Sequence, residues 1–269
     1  MSTQPDPRNF PSYRPPSEKE GPEFRGAAHR TATARAFGHG AGTYHDVRPS
    51  YPAQVAKLLA DHATVVDIGA GTGKLTEQLA ATPGVERVWA VDPSADMARV
   101  LEENLAVPVW RAKAEATALP EASVDAVAAA QTWHWVDVPA ACAEFDRIVR
   151  PGGHVLLVWN TLDVTDDPWL LRLARIMHSG DVQKPGFLPA LAAPWTIERE
   201  LRTTFTQELY PAQLHQLMHT RAYWLRNGDK IHQRMTHNLN WYLREHTGLS
   251  DDDAVRLRYR TDAFLLRRA

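Results

Sequence analysis

The run Asp67-Ile68-Gly69-Ala70-Gly71-Thr72-Gly73 is the sharpest chemical feature of this chain. It closes an apolar run and opens a helical one. Glycines so placed let backbone come close to a ligand and let a helix pack tightly on a strand. Spacing separates the ligands that such turns hold. A phosphate-cradling loop reads glycine, four residues, then Gly-Lys-Ser/Thr. Gly73-Lys74 supplies the middle pair, but Ile68 stands at the first glycine and Leu75 at the hydroxyl. A dinucleotide turn wants a third glycine three residues after the second, and Lys74 stands there. The spacing present is GxGxG behind an acid. A second cluster, Gln131-Thr132-Trp133-His134-Trp135, follows another apolar run. Its imidazole titrates near neutrality and could act as a general base, or could simply orient by bonding backbone. Its two indoles could stack on a substrate, face a cation or anchor a core. His215 and His219 stand at i,i+4, the spacing of a metal pair, but Gln216 replaces the general-base Glu of HExxH, so no metal is expected. The lone Cys142 excludes an internal disulfide and a multi-cysteine zinc site.

The elements that must position these residues alternate along the chain. TVVDIG (64–69), RVWAVD (87–92), VPVWRA (107–112), VDAVAAA (124–130) and HVLLVWN (154–160) read as strands. GKLTEQLAA (73–81), SADMARVLEENL (94–105, with Ser94 as N-cap) and PAACAEFDRIV (139–149, stopped by a Pro151-Gly152-Gly153 turn) read as helices. Such alternation predicts right-handed crossovers and a parallel sheet, with the loops at strand C-termini facing the ligand. FGHGAGTYHDVRPSYP (37–52) reads as a loop, followed by a helix near Pro52. Beyond 160 the pattern changes to a helix over 167–178, a β-prone run over 196–209, helices over 211–225 and 229–246, and a terminal stretch (254–268) that reads as a late strand with a helix as the alternative.

Composition sets bounds. The 269 residues amount to fewer than two average domains of ~150 residues. Thirty basic against 32 acidic residues disfavour a general nucleic-acid coat, which needs clustered Lys and Arg. No apolar run approaches a membrane span, and no secretory signal is visible, so a soluble cytoplasmic protein is expected. Residues 1–23 hold six prolines and little apolar content, which predicts a disordered tail, with a short helix over 24–36. The remainder, 24–269, is expected to be one domain, with a ligand-binding core over about 53–160 and a cap and last strands over about 161–269.

GxGxG behind an acid resembles the turn of Rossmann-like class I methyltransferases that use S-adenosylmethionine (SAM). The resemblance extends through YHDVRPSYP (44–52), VVDIGAGTGKLT (65–76), AVDPSADM (90–97), AEATALP (114–120), SVDAVAAAQTWHWVD (123–137) and RIVRPGGHVLLVWN (147–160). These stretches are similar to small-molecule enzymes of the trans-aconitate methyltransferase type, in the same order. The resemblance implies an α/β, Rossmann-like, seven-stranded and mostly parallel sheet, its last strand antiparallel, with helices on both faces and a helical cap. It implies SAM as cofactor. Gly69, Gly71 and Gly73 would admit its amino-acid end, and Asp67 would accept from the ammonium or order the turn. Asp92 would meet the ribose, with Pro93 beside it, and Met97 would flank the adenine. Ala114 would offer its N–H to the adenine edge. Lys113 stands where relatives often have an acid, which leaves that contact to Glu115 or to nothing. Gln131 and Thr132 would touch the amino-acid part.

The substrate side is less defined. His134 is the first candidate base, and Tyr44 and His45 (where relatives often have Asp) the next, with His39 behind them. Trp133, Trp135, Arg48, Tyr223, Trp224 and Trp241 are candidate substrate contacts, with Tyr44 and Arg48 candidates for the cofactor carboxylate as well. Nine tryptophans and an aromatic-rich second half favour a small aromatic acceptor, indole- or phenol-bearing, in specialised metabolism. The alternative is a carboxylate of the trans-aconitate type, anchored by Arg48, Arg172 or Arg175. A protein or RNA acceptor, drawn by Arg8, Arg14, Arg25, Arg30 and Arg35, is the next, and a SAM-sensing module without turnover is the last. A homodimer through the aromatic half is a further expectation.

Overall fold

The computed structural model describes residues 19, 26, 33, 40–179 and 183–269. Apart from those isolated positions, the expected tail, the helix over 24–36, His39 and the arginines at 8, 14, 25, 30 and 35 lie outside the described residues. Seven strands form one sheet in the order β3-β2-β1-β4-β5-β7-β6. They are β1 (Thr64–Ile68), β2 (Arg87–Val91), β3 (Val109–Trp110), β4 (Val124–Ala130), β5 (Val149–Leu162), β6 (Trp195–Leu209) and β7 (Val255–Arg268). The first five pair in parallel, and β7 runs antiparallel to both β5 and β6. The terminal stretch is therefore a strand, and it is the antiparallel one.

Central strands are apolar throughout because both faces are covered. Every residue of β1 is buried. Alternate residues serve opposite cores: Val66, Val127 and Leu157 join Phe145 on one face, while Val65, Ala126 and Leu156 join Leu75 and Leu79 on the other. A third cluster forms beyond the sheet, where Leu170, Leu173, Leu217, Leu239 and Tyr242 pack together. It belongs to the cap helices.

The helices are α1 (Ala41–Val47), α2 (Ala53–Ala56, continued by a 3-10 turn), α3 (Lys74–Ala80), α4 (Ala95–Asn104), α5 (Val138–Ile148), α6 (Pro168–Ile176), α7 (Pro211–His219), α8 (Ala222–Leu225) and α9 (Asp229–Asn240). Ser94 caps α4 by accepting from the Met97 N–H. Asp137 and Asp167 do the same for α5 and α6.

Three expectations need correction. Residues 41–47, read as loop, form α1. Gly40 supplies the left-handed entry (φ 84°), and tertiary docking stabilises a segment whose propensity is weak. The Ala41 N–H donates to Asp96 Oδ2 at 3.0 Å. The Pro151-Gly152-Gly153 turn is not outside the sheet. β5 starts at Val149, and the glycines form an irregularity in its pairing with β4. A Cβ on Gly153 would lie 2.2 Å from the Asp125 carbonyl oxygen, so the close approach demands glycine. The stretch 211–225 is two helices, broken at Thr220-Arg221.

Candidate active site

A cavity of about 620 Å³ opens at the C-terminal ends of β1, β2, β4 and β5. Its floor is the glycine turn. Gly69 and Ala70 donate their N–H groups to the Val91 carbonyl at 2.7 and 3.0 Å, pinning the turn to β2. The three glycines have left-handed φ for different reasons. A side chain at Gly69 would collide with Thr132 at 2.4 Å, and one at Gly73 would meet Leu105 at 2.8 Å. A Cβ on Gly71 would meet nothing within 4 Å. Gly69 and Gly73 thus serve packing, while Gly71 leaves the approach to the turn open.

Two acids bracket the turn. Asp67 is buried, and its Oδ2 accepts from Thr76 Oγ1 at 2.7 Å. Its Oδ1 has no hydrogen-bond partner. Burial raises its carboxyl to about 7, against the lowering effect of the Thr76 bond. Asp92 holds the turn instead. Its Oδ2 accepts from the Gly71 N–H at 2.9 Å and its Oδ1 from the Ser94 N–H at 2.8 Å. Burial pushes this carboxyl up as well. Pro93 and Met97 continue this wall, opposite Ala114 and Glu115. Glu115 Oε1 accepts from the Asp137 N–H at 2.8 Å, which ties it to the start of α5.

The β4 end divides. Gln131 takes a left-handed φ of 53° and donates from Nε2 to the Asn160 carbonyl. Thr132 Oγ1 lies 3.0 Å from both the Gly69 and Ala130 carbonyls, so its hydroxyl links β4 to the turn. Trp135 lines the cavity.

The remaining candidates divide in the same way. Trp133 is a core residue: its Nε1 donates to the Ala190 carbonyl at 2.8 Å and its ring packs on Phe145. His134 packs against Trp135 with ring centroids 4.6 Å apart and the planes tilted by 53°, and it is absent from the cavity wall. His45 is absent from the wall too, whereas Tyr44 and Arg48 are on it. Arg48 lies over the Tyr44 ring, and its Nε and NH2 donate to Thr220 Oγ1 and the Thr220 carbonyl, both at 2.9 Å. Tyr223, Trp224 and Trp241 do not reach the cavity. Tyr223 stacks on His178 at 3.9 Å, Trp224 lies between His219 and His232 at 4.0 Å from each, and Trp241 stacks on His246. These rings pack the cap because each has a flat neighbour there. No group of three or more His, Cys, Asp or Glu among the described residues could hold a metal ion.

Sequence reasoning missed Tyr51, Asn160, Leu162, Arg221 and Tyr259, which also line the cavity. Asn160 ended one motif already quoted and Tyr51 stood next to the end of another, so position at a strand end or before a helix was a usable signal. Arg221 had none: it sits at a helix break that only the tertiary structure reveals. It is only 3% exposed.

The sequence from 66 to 157 matches the family model described as a methyltransferase domain. Over 232 residues the chain is 36% identical to an uncharacterized methyltransferase of Mycobacterium tuberculosis, covering 84% of this chain and 92% of the relative. This chain belongs to the class I SAM-dependent methyltransferases. Other relatives of the methyltransferase are more partial matches. It is 32% identical to a malonyl-[acyl-carrier protein] O-methyltransferase of Hahella chejuensis over 60% of this chain and 61% of that one. It is 31% identical to a trans-aconitate 2-methyltransferase of an Azoarcus species over 55% and 63%. A solved structure, proposed to be a type II methyltransferase of Anaeromyxobacter dehalogenans, shares the fold at a TM-score of 0.58, with 24% identity over 81% of this chain and 97% of that chain.

The methyltransferase's residues fit SAM. Asp67, whose Oδ1 is buried with no hydrogen-bond partner, is an acid beside the turn and is compatible with the cofactor's ammonium. Gly71 leaves room against the turn. Asp92, Met97 and Ala114 follow at the far side, where the sequence led ribose and adenine to be expected. No helix among the described residues is long and apolar enough to cross a membrane.

Proposed function

We propose that this methyltransferase acts on the carboxylate of a small molecule with an apolar body. The observation that carries this is that Arg48 and the buried Arg221 both line the cavity, with Arg48 bonded to Thr220, the residue before Arg221. Guanidinium forks match a carboxylate and hold it by charge-assisted bonds. Around them stand Tyr44, Tyr51, Trp135, Leu162 and Tyr259, which suit an apolar remainder. Tyr223, Trp224 and Trp241, three of the rings that favoured an indole or phenol, pack against cap histidines instead.

SAM supplies a methyl group already activated by positive sulfur. The protein's task is then proximity, alignment and exclusion of water. A carboxylate is anionic at neutral pH, so no base has to deprotonate it. Among the described residues no histidine lines the cavity, which accords with such an acceptor. Arg48 and Arg221 would orient the carboxylate, and Trp135 and Leu162 would keep its other side dry. The named acceptors of two relatives, malonyl-[acyl-carrier protein] and trans-aconitate, both carry carboxylates.

The test is label transfer from methyl-labelled SAM into a metabolite extract, with RNA and protein as separate fractions. Label in small molecules that mild alkali releases as volatile methanol is the expected result, since methyl esters hydrolyse there. Alkali-stable label would point to N, C or phenolic O acceptors and sink the carboxylate reading. Label confined to polymer would sink the small-molecule reading.

A further inference from the structure

Three titratable side chains meet at the end of the sheet opposite the cavity. His62 lies in the connection that enters β1, His154 near the start of β5, and Glu198 on the edge strand β6. His62 Nε2 and His154 Nδ1 are 2.9 Å apart, with the two rings edge-on at 87°. His154 Nε2 lies 2.9 Å from Glu198 Oε2. Local structure explains how residues from three elements converge. Ala126, the β4 partner of His154, is small, so His62 can reach across that strand. Glu198 is the extra residue of a bulge in β6, between the Ile197–Leu266 and Arg199–Leu265 pairs, and the bulge re-aims its carboxylate across β7.

Counting protons fixes the chemistry. A carboxylate can only accept, so His154 Nε2 carries a proton. With both imidazoles neutral, His154 Nδ1 is bare and accepts from the His62 Nε2–H. One added proton is absorbed by reversing that bond: the His154 Nδ1–H then donates to a bare His62 Nε2, and the imidazolium stays against Glu198. A second proton would set two N–H groups face to face at 2.9 Å, and the contact must part. We propose that His62, His154 and Glu198 form a clasp that ties the edge strand β6 to the entry of β1 and opens when both imidazoles are charged. The other charged groups around it are Asp61 beside His62, Asp125 on β4 (bound to the Thr64 N–H and to Arg150), Arg199 on β6 and Arg267 on β7. Burial first, then His154, hold His62 below its ordinary value, against the raising effects of the Leu59 backbone, Asp125 and Asp61. Unfolded, both rings titrate near 6.5 and take two protons where the closed clasp takes one. Its contribution to stability is therefore present above that pH and lost as pH falls below it.

The experiment is a titration from pH 8 to pH 5, followed by NMR of the histidine ring nitrogens in the full chain, beside His62→Leu, His154→Leu and the double variant. Resonances missing from each single variant identify the two rings. At pH 8 the expected wild-type state is His154 protonated on Nε2 and bare on Nδ1. The pair should then take up protons in two separate steps, whereas the ring left in either single variant takes one step. Urea unfolding of the four proteins gives the coupling between the rings. About fivefold in the unfolding constant is expected at pH 8, the size of one hydrogen bond, shrinking toward unity as pH falls below 6.5. Titration of each ring unaffected by removal of the other would overturn the proposal. So would coupling absent at pH 8 or undiminished at pH 5. Should a leucine variant fail to fold, His62→Gln and His154→Gln identify the rings, and the wild-type titration alone decides.

Discussion

At the residue scale, the proposed contact of Asp67 with the SAM ammonium predicts that binding depends on pH. The Asp67 carboxyl titrates at about 7 because burial disfavours the charge. A cationic ammonium against Oδ1 would favour the carboxylate and lower that value. SAM binding at pH 6 must therefore expel a proton, and affinity rises with pH up to about 7, then levels. Calorimetry in buffers of different ionisation enthalpy at pH 6 and 8 should show proton release at the lower pH only. Asp67→Asn should abolish tight SAM binding yet raise the melting temperature of the free protein at pH 8, because a buried charge is removed, on the order of 2 kcal/mol. A melting temperature that falls would refute the stored cost. Arg221 gives the second prediction. Arg221→Met should raise the acceptor KM at least ~10-fold, as truncation of a buried charge-assisted contact does, while SAM affinity stays within twofold. A parallel loss of SAM affinity would assign Arg221 to the cofactor carboxylate.

At the element scale, the β5 start shows how a turn motif becomes part of a sheet. Gly153→Ala would force a Cβ into the Asp125 carbonyl, with Val149 also within 2.6 Å. The expected cost is roughly 2 kcal/mol or more, about 4–8 °C in melting temperature, with the KM for SAM unchanged because the site lies at the other end of the strands. Retention of the wild-type melting temperature would mean the backbone relaxes freely. This element also marks what sequence could and could not convey. The alternating strands, Ser94 as a cap and the GxGxG turn were legible, because each depends on local pattern and short-range chemistry. α1 was not, since its seven residues have glycine at the entry and, with the capping Arg48, are held by Asp96, Thr220 and Gln207, residues 55 to 172 positions away. The same limit applied to the site. Acids and glycines of the cofactor wall lie beside their strands in sequence, whereas Trp133 and Trp135 differ by two residues and point to core and cavity respectively. Periodicity cannot assign sides within a short turn (Trp133–Trp135 is 3-10).

At the scale of the whole molecule, cap and sheet store opposite responses to acid. The cap buries imidazoles among rings. His178 is lowered to about 4, by burial first and by Arg234 second. His219 is lowered by burial, then by His215 and His232. His215 is lowered by burial, with Arg244 adding to it and a bond to Asn240 opposing it. Unfolded, such groups titrate near 6.5, so below that pH the unfolded cap takes up protons that the folded cap refuses. Their contribution to stability is present above 6.5 and is lost as pH falls toward 4. Asp67 and Asp92 behave oppositely: their raised carboxyls bind protons more tightly when folded, so acid strengthens the sheet around β1 and β2 over the same range. Amide exchange at pH 7 and pH 5, corrected for intrinsic rates, should show protection lost first in 168–178 and 211–246 while β1 and β4 keep theirs. Uniform loss along the chain would show instead that the two layers unfold as one unit. Because Arg221 lines the cavity from the cap, and Thr220 beside it holds Arg48, such loosening predicts that acceptor binding fails on acidification before the fold of the SAM-binding core does.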